Sequence, residues 1–303
     1  MPPGDELTFC APIPHHADVT PFADRFSALA ADYDVVLSDV WGVIHNGVAA
    51  FPEASEALSR FRAGGGKVIL ITNAPRTGEA VSRQLDHFGV ARAAYDGVVS
   101  SGDVTRDVVA KRSGQSLFHL GPQRDISIFS GLDVRFAPVE VADYVVCSGL
   151  FDDETETAED YRDLLGIMRA RSLFMVCGNP DVVVERGDRL VYCAGAIADL
   201  YATLGGEVLY AGKPHRPIYD NALAKAESLR GGPVPLQRVL AIGDSLRTDI
   251  KGAAALGIDS LFVTAGIHAE ELGSRDNPDR SALDRIFADA RVWPKAVTKR
   301  LVW

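Results

Sequence analysis

Short apolar runs that end on polar residues, alternating with segments of helical spacing, constrain this chain most. Val35-Val36-Leu37 ends at Ser38-Asp39, and Lys67-Val68-Ile69-Leu70-Ile71 ends at Thr72-Asn73. Near the other end, Val239-Leu240-Ala241-Ile242 leads into Gly243-Asp244-Ser245, and Ser260-Leu261-Phe262-Val263 into Thr264. Each run is too short for a buried helix and reads as a buried strand. Between them, Pro52–Arg62 places Ala54, Leu58 and Phe61 on one helical face and stops at Gly64-Gly65-Gly66. A second helix runs through Val81, Leu85 and Phe88 to Gly89, and a third follows Asp244 to Leu256. Strand–helix–strand alternation predicts an α/β fold with a parallel sheet covered on both faces. Ligands of such sheets bind beyond the carboxyl ends of the strands, where Asp39, Thr72 and Asp244 fall.

From about Val109 to Gly206 a second αβ pattern interrupts the first. Its strand candidates are Ser116–Leu120, Tyr144–Ser148 and Leu173–Cys177, with a helix from about Thr157 to Ala170. The organisation expected is therefore core (1–108), inserted αβ domain (109–206) and core again (207–303). Helices are also expected over Pro21–Ala31 and from Ala282 to Trp303, the latter with Arg291, Lys295, Lys299 and Arg300 late in it, where helix ends favour cations.

Composition narrows the partners. A net charge of −10 argues against nucleic acid and anionic membranes. No apolar run approaches the roughly 18 residues of a membrane span, and the opening Met-Pro-Pro-Gly-Asp-Glu lacks the order of a signal peptide. A cytoplasmic protein is expected. Cys10, Cys147, Cys177 and Cys193 are far apart, with no zinc-site spacing, and read as buried free thiols.

Taken together, Asp39-Val-Trp-Gly-Val, Thr72-Asn73, Gly212-Lys213-Pro214 and Gly243-Asp244-Ser245-x-x-x-Asp249 resemble the four motifs of the haloacid dehalogenase (HAD) superfamily. Cys177-Gly-Asn179-Pro180-Asp181 and Ala194-Gly195-Ala196-Ile197 resemble the cap-to-core passage of its NagD-type, class IIA branch. The resemblance implies a Rossmann-like core with an inserted αβ cap and hydrolysis of small phosphate monoesters such as sugar phosphates. It implies Asp39 as nucleophile and Mg²⁺ held by Asp39, Asp244, Asp249 and the Trp41 carbonyl. Thr72 and the Asn73 backbone would hydrogen-bond the phosphoryl oxygens, and Lys213 would offset negative charge. Asn179, Asp181 and the Gly195-Ala196-Ile197 turn would face the substrate, with Asp181 equally able to cap the next element. Cap closure would hinge near Thr105–Arg112 and Leu204–Leu209, and branch members often dimerise through the cap, so a homodimer is a further expectation.

One position departs from the pattern. Phosphatases of the family usually carry Asp two residues past the nucleophile as general acid and base, and here that residue is Trp41. An indole cannot do either job. His45 and His215 are the neighbouring groups able to approach the leaving group, and Trp41 itself either stacks on substrate or packs under the cap. Three readings stay open: a phosphatase with another group or water as proton source or with a good leaving group on its substrate, a phospho-ligand-binding homologue without turnover, and a carbon–halogen hydrolase. The L-2-haloacid dehalogenases also have an aromatic residue there, but use no metal, and the retained Asp244 and Asp249 count against that reading.

Overall fold

The computed structural model describes residues 20–186 and 189–303. Strands β1 (Val35–Asp39), β2 (Lys67–Thr72) and β3 (Gly97–Ser100) open the chain's first sheet. A second sheet takes β4 (Ser116–Leu120), β5 (Arg135–Phe136), β6 (Tyr144–Cys147) and β7 (Phe174–Cys177). A hairpin of β8 (Val183–Arg186) and β9 (Arg189–Tyr192) follows, then β10 (Val208–Tyr210), β11 (Val239–Gly243), β12 (Asp259–Val263) and β13 (Ala296–Thr298). The first sheet has the order β13-β12-β11-β1-β2-β3 and the second β10-β7-β6-β4-β5, with parallel pairs throughout both. The pair β8–β9 is antiparallel. The parallel, helix-covered sheets are the expected α/β class, and the second sheet takes in β10, beyond the boundary expected at residue 206.

Side-chain alternation explains why the core strands read as unbroken apolar runs. Val36, Val68, Leu70, Leu240 and Ile242 pack into one buried cluster, with Ala54, Leu58 and Phe61 of the helix Pro52–Ala63. Val35, Leu37, Ile69, Ile71, Val239 and Ala241 pack into another on the opposite face, with Ile218, Tyr219 and Ala222 of the helix Arg216–Arg230. Both faces are covered, so polar residues are admitted only at the strand ends. The register sets Ser38 beside Ile242 and Asp39 beside Ile71, which brings the three polar ends to one edge.

Several expectations are corrected. The segment 282–303 is not one helix: it is helical over Arg280–Ala290 and ends with Arg291 at φ 53°. Pro294 follows, and Ala296–Thr298 joins the sheet beside Leu261–Val263. Pro21–Ala31 is helical only over Ser27–Ala30, because the backbone of Pro21 and Ala23 bonds Val297 instead. The helix Ser101–Ala110 occupies most of the expected hinge Thr105–Arg112 and buries Thr105 and Val109. Cys147 and Cys177 are buried free thiols as expected and Cys193 is buried as well, whereas Cys10 lies outside the described residues. Among the described residues, no helix is long and apolar enough to cross a membrane.

Candidate active site

Asp39 is the last residue of β1, and Asp244 follows the last residue of β11. A π-helical turn, Leu246–Ile250, then folds Asp249 back so that its Oδ2 accepts from the Ser245 backbone at 3.1 Å. The three buried carboxylates offer oxygens within 4.8 Å of one another. Glycines make this crowding possible. A Cβ at Gly42 or Gly266 would fall on the Asp244 carboxylate, and one at Gly243 on that of Asp249. Gly42 also has φ +78°, which glycine adopts without strain.

Lys213 enters from the chain leaving β10. Its buried Nζ donates to Asp39 Oδ1 and to Asp249 Oδ1, each at 2.6 Å. Burial opposes its charge, but Asp249 and Asp39 together hold the ammonium's pKa above its ordinary value. With all three carboxylates ionised, one ammonium would leave two buried negative charges uncompensated. The strain shows in the acids. Burial, then the charge of Asp249, pushes Asp39 well above the usual carboxylate range, with Lys213 opposing. Asp244 is raised by the same two causes. An all-oxygen cluster with this charge deficit fits a hard divalent cation.

Thr72 ends β2 at the same edge, where its Oγ1 accepts from the Ala74 backbone at 3.2 Å. Asn73 does more than expected. Its Oδ1 accepts from the Lys213 backbone (2.7 Å), while its Nδ2 donates to the Lys213 carbonyl (3.0 Å) and to Asp181 Oδ1 (2.9 Å). One side chain thus ties the core loop to Lys213 and to the inserted unit. Nothing in the local sequence announced this, because its partners lie 140 and 108 residues away.

Above the carboxylates opens a cleft of about 950 Å³, lined by Asp39, Trp41, Thr72, Asn73, Asp181 and Lys213 among others. The Trp41 indole packs over Gly47, edge-on to His45 at 5.1 Å. His215 also lines the cleft and stacks on Tyr210 at 4.5 Å. Other expected residues are elsewhere. His45 is turned into the core between Trp41 and Phe88, accepts from the Gly47 backbone, and is held by burial to a pKa of about 4. Asn179 caps the following turn by accepting from the Asp181 backbone at 3.1 Å, and does not line the cleft. Gly195, Ala196 and Ile197 form the buried first turn of the helix Ala194–Thr203 and do not line the cleft. Gly195 lets that helix approach the Pro180 and Asp181 carbonyls, where a Cβ would collide.

Residues 36–135 match the family described as haloacid dehalogenase-like hydrolase, and residues 210–289 one described as HAD-hydrolase-like. The structure is similar to that of a haloacid dehalogenase-like hydrolase from Brucella suis 1330, at TM-score 0.82 and 47% identity over 93% of this chain and 100% of that one. The sequence is 26% identical over 267 residues to the D-glycerol 3-phosphate phosphatase of Mycobacterium tuberculosis, covering 86% of this chain and 68% of that protein. A glycerol phosphate phosphatase from Mycobacterium tuberculosis in complex with magnesium shares the fold, at TM-score 0.66 and 23% identity over 89% of this chain and 75% of that one. On its fold, its four strand-end motifs and its likeness to the Brucella suis protein over that protein's whole length, the chain belongs to the haloacid dehalogenase-like hydrolase family.

Proposed function

We propose that the protein is a Mg²⁺-dependent phosphatase of small phosphate monoesters, acting through an aspartyl-phosphate at Asp39. The observation that carries this reading is the buried Asp39–Asp244–Asp249 cluster with Lys213 inside it, at the carboxyl edge of the sheet. A carbon–halogen hydrolase without a metal has no use for that surplus of negative charge. The glycerol-phosphate substrate named for the mycobacterial relative fits the same class.

Asp39 and Asp244 would hold the cation directly, with the Trp41 carbonyl. Both oxygens of Asp249 already accept from Lys213 and Ser245, so this residue would act from further out. When bound, Mg²⁺ supplies the positive charge that lets a phosphate dianion approach a carboxylate. Lys213 spans Asp39 and Asp249 and so steadies the Asp39 carboxylate for attack on phosphorus. The new Asp39 O–P bond forms as the bond from phosphorus to the ester oxygen breaks. Water then attacks phosphorus, breaks the Asp39 O–P bond and releases inorganic phosphate. Thr72 and the Asn73 backbone would donate to the phosphoryl oxygens. The unit of residues 109–206, its sheet completed by β10, would act as the cap, with Asp181 at its junction.

Trp41 supplies no proton to the departing oxygen, so esters with acidic leaving groups should turn over fastest. General acid help is worth roughly 10²–10⁴-fold. The expected result is Mg²⁺-dependent phosphate release from p-nitrophenyl phosphate and acetyl phosphate, abolished by EDTA and much slower for alkyl phosphates. Well-folded protein that binds such esters without releasing phosphate from either would sink the phosphatase reading and favour a binding protein.

Gly266→Ala tests the metal assignment separately. Its Cβ would displace the Asp244 carboxylate, which now accepts from the Ile267 backbone at 2.8 Å. A rise of about tenfold or more in the Mg²⁺ concentration for half-maximal activity is expected, with overpacking costing about 1–3 kcal/mol of stability. An unchanged Mg²⁺ dependence would remove Asp244 from the ligand set.

A further inference from the structure

We infer that the preferred ester carries a second anionic group, received by Arg247 and Lys251 on the cleft wall. This rests on the phosphatase reading above and adds a substrate class to it.

Both side chains line the same cleft as Asp39, Trp41 and Lys213. They stand four residues apart on the run that begins with the π-helical turn and continues as the helix Lys251–Leu256. From that run Asp249 turns inward to Lys213, while Arg247 and Lys251 are exposed. The chain's habit elsewhere is to pair such cations: Arg60 with Glu56, Arg83 with Glu79 and Arg216 with Asp220 are ion pairs at the same spacing. Here the residue one turn away from a cation is another cation, which is unfavourable unless an anion lies between or before them. Neither Arg247 nor Lys251 has an ion-pair or hydrogen-bond partner among the described residues.

The reaction centre does not absorb these charges. Lys213 is occupied by Asp39 and Asp249. The cleft's other acids are engaged as well: Asp181 accepts from Asn73, and Asp199 from the Tyr210 hydroxyl. Arg247 still acts on Asp181 through its field, and Lys251 acts on His215, so both cations reach into the cleft. In a protein of net charge −10, two unpaired cations at the mouth of the site mark where an anionic substituent would rest. A guanidinium forks onto a carboxylate or a phosphate, and an ammonium binds either as a point charge. The class is therefore a phosphate monoester bearing a carboxylate or a second phosphate.

The test is competitive inhibition of p-nitrophenyl phosphate hydrolysis with Mg²⁺ present, which needs no turnover of the competitor. Two matched pairs separate the sources of charge: 3-phosphoglycerate against glycerol 3-phosphate for the carboxylate, and fructose 1,6-bisphosphate against fructose 1-phosphate for the phosphate. At least one doubly anionic member should bind about tenfold more tightly than its partner, the worth of one or two charge-assisted hydrogen bonds. In Arg247→Gln/Lys251→Gln the ratio should fall to within about twofold of one. Because each ratio is taken within one protein, a partly damaged variant still reports it. Equal affinities in the wild type, or a preference that survives the double substitution, would overturn the inference while leaving the phosphatase reading intact. Absence of p-nitrophenyl phosphate hydrolysis in the wild type would instead remove that reading, and this inference with it.

Discussion

Asp39→Asn is expected to lower Mg²⁺-dependent hydrolysis of p-nitrophenyl phosphate by about 10⁴-fold or more, the scale on which an enzyme loses its nucleophile. The amide has nearly the shape of the carboxylate but is a poor nucleophile and carries no charge for a cation. The fold should tolerate it. Asp39 is a buried acid whose burial and acidic neighbours already push its pKa up, so a neutral side chain relieves repulsion from Asp249 and Asp244. Steady-state kinetics beside a denaturation curve would therefore show activity lost with stability kept or raised. Activity within tenfold of wild type would remove Asp39 from the chemistry and with it the covalent route.

Lys213→Met should have the opposite balance, damaging stability and activity together. Lys213 is 2% exposed, and its ammonium lies 2.6 Å from oxygens of both Asp39 and Asp249. Removing one partner of such a buried pair leaves uncompensated charge, which costs about 3–5 kcal/mol. Urea denaturation in EDTA would read this loss. Without Lys213 the pKa of Asp39, already raised, climbs further, so the folded state holds a proton that the unfolded chain releases. The deficit should consequently begin to shrink as the pH falls through that raised value, and go on shrinking down to the ordinary carboxylate range, below which the acid is neutral in both states. Saturating Mg²⁺ should also restore part of the stability, since the cation binds only the folded cluster. A variant as stable as wild type in EDTA at neutral pH would contradict the electrostatic account of the site.

Much of this molecule could be read from local pattern. Val35–Leu37, Lys67–Ile71 and Val239–Ile242 announce buried strands, and their polar ends mark the edge where the carboxylates gather, because both signals act within a few residues. The second strand–helix series was equally visible. Strands too short to carry a period, such as Arg135–Phe136, and the antiparallel pair Val183–Arg186 and Arg189–Tyr192 were not. The segment after Ala290 misled for a related reason. Lysines and arginines suggest a helix end, but Pro294 and the free edge of β12 make it a strand, and an open sheet edge cannot be seen in a linear sequence.

The sequence by itself determined the α/β class, the strand-end positions of Asp39, Thr72 and Asp244, and the absence of an acid at residue 41. Only the tertiary structure decided how these groups meet. Lys213 reaches Asp39 across 174 residues of chain and Asp249 across 36, and Asn73 joins Asp181 across 108. It also withdrew His45 into the core, closed Gly195–Ile197 into a helix and opened Arg247 and Lys251 onto the cleft. The physical reason is one of range. Propensity and periodicity act over a turn or a strand, whereas burial and charge pairing depend on which elements the parallel register sets side by side.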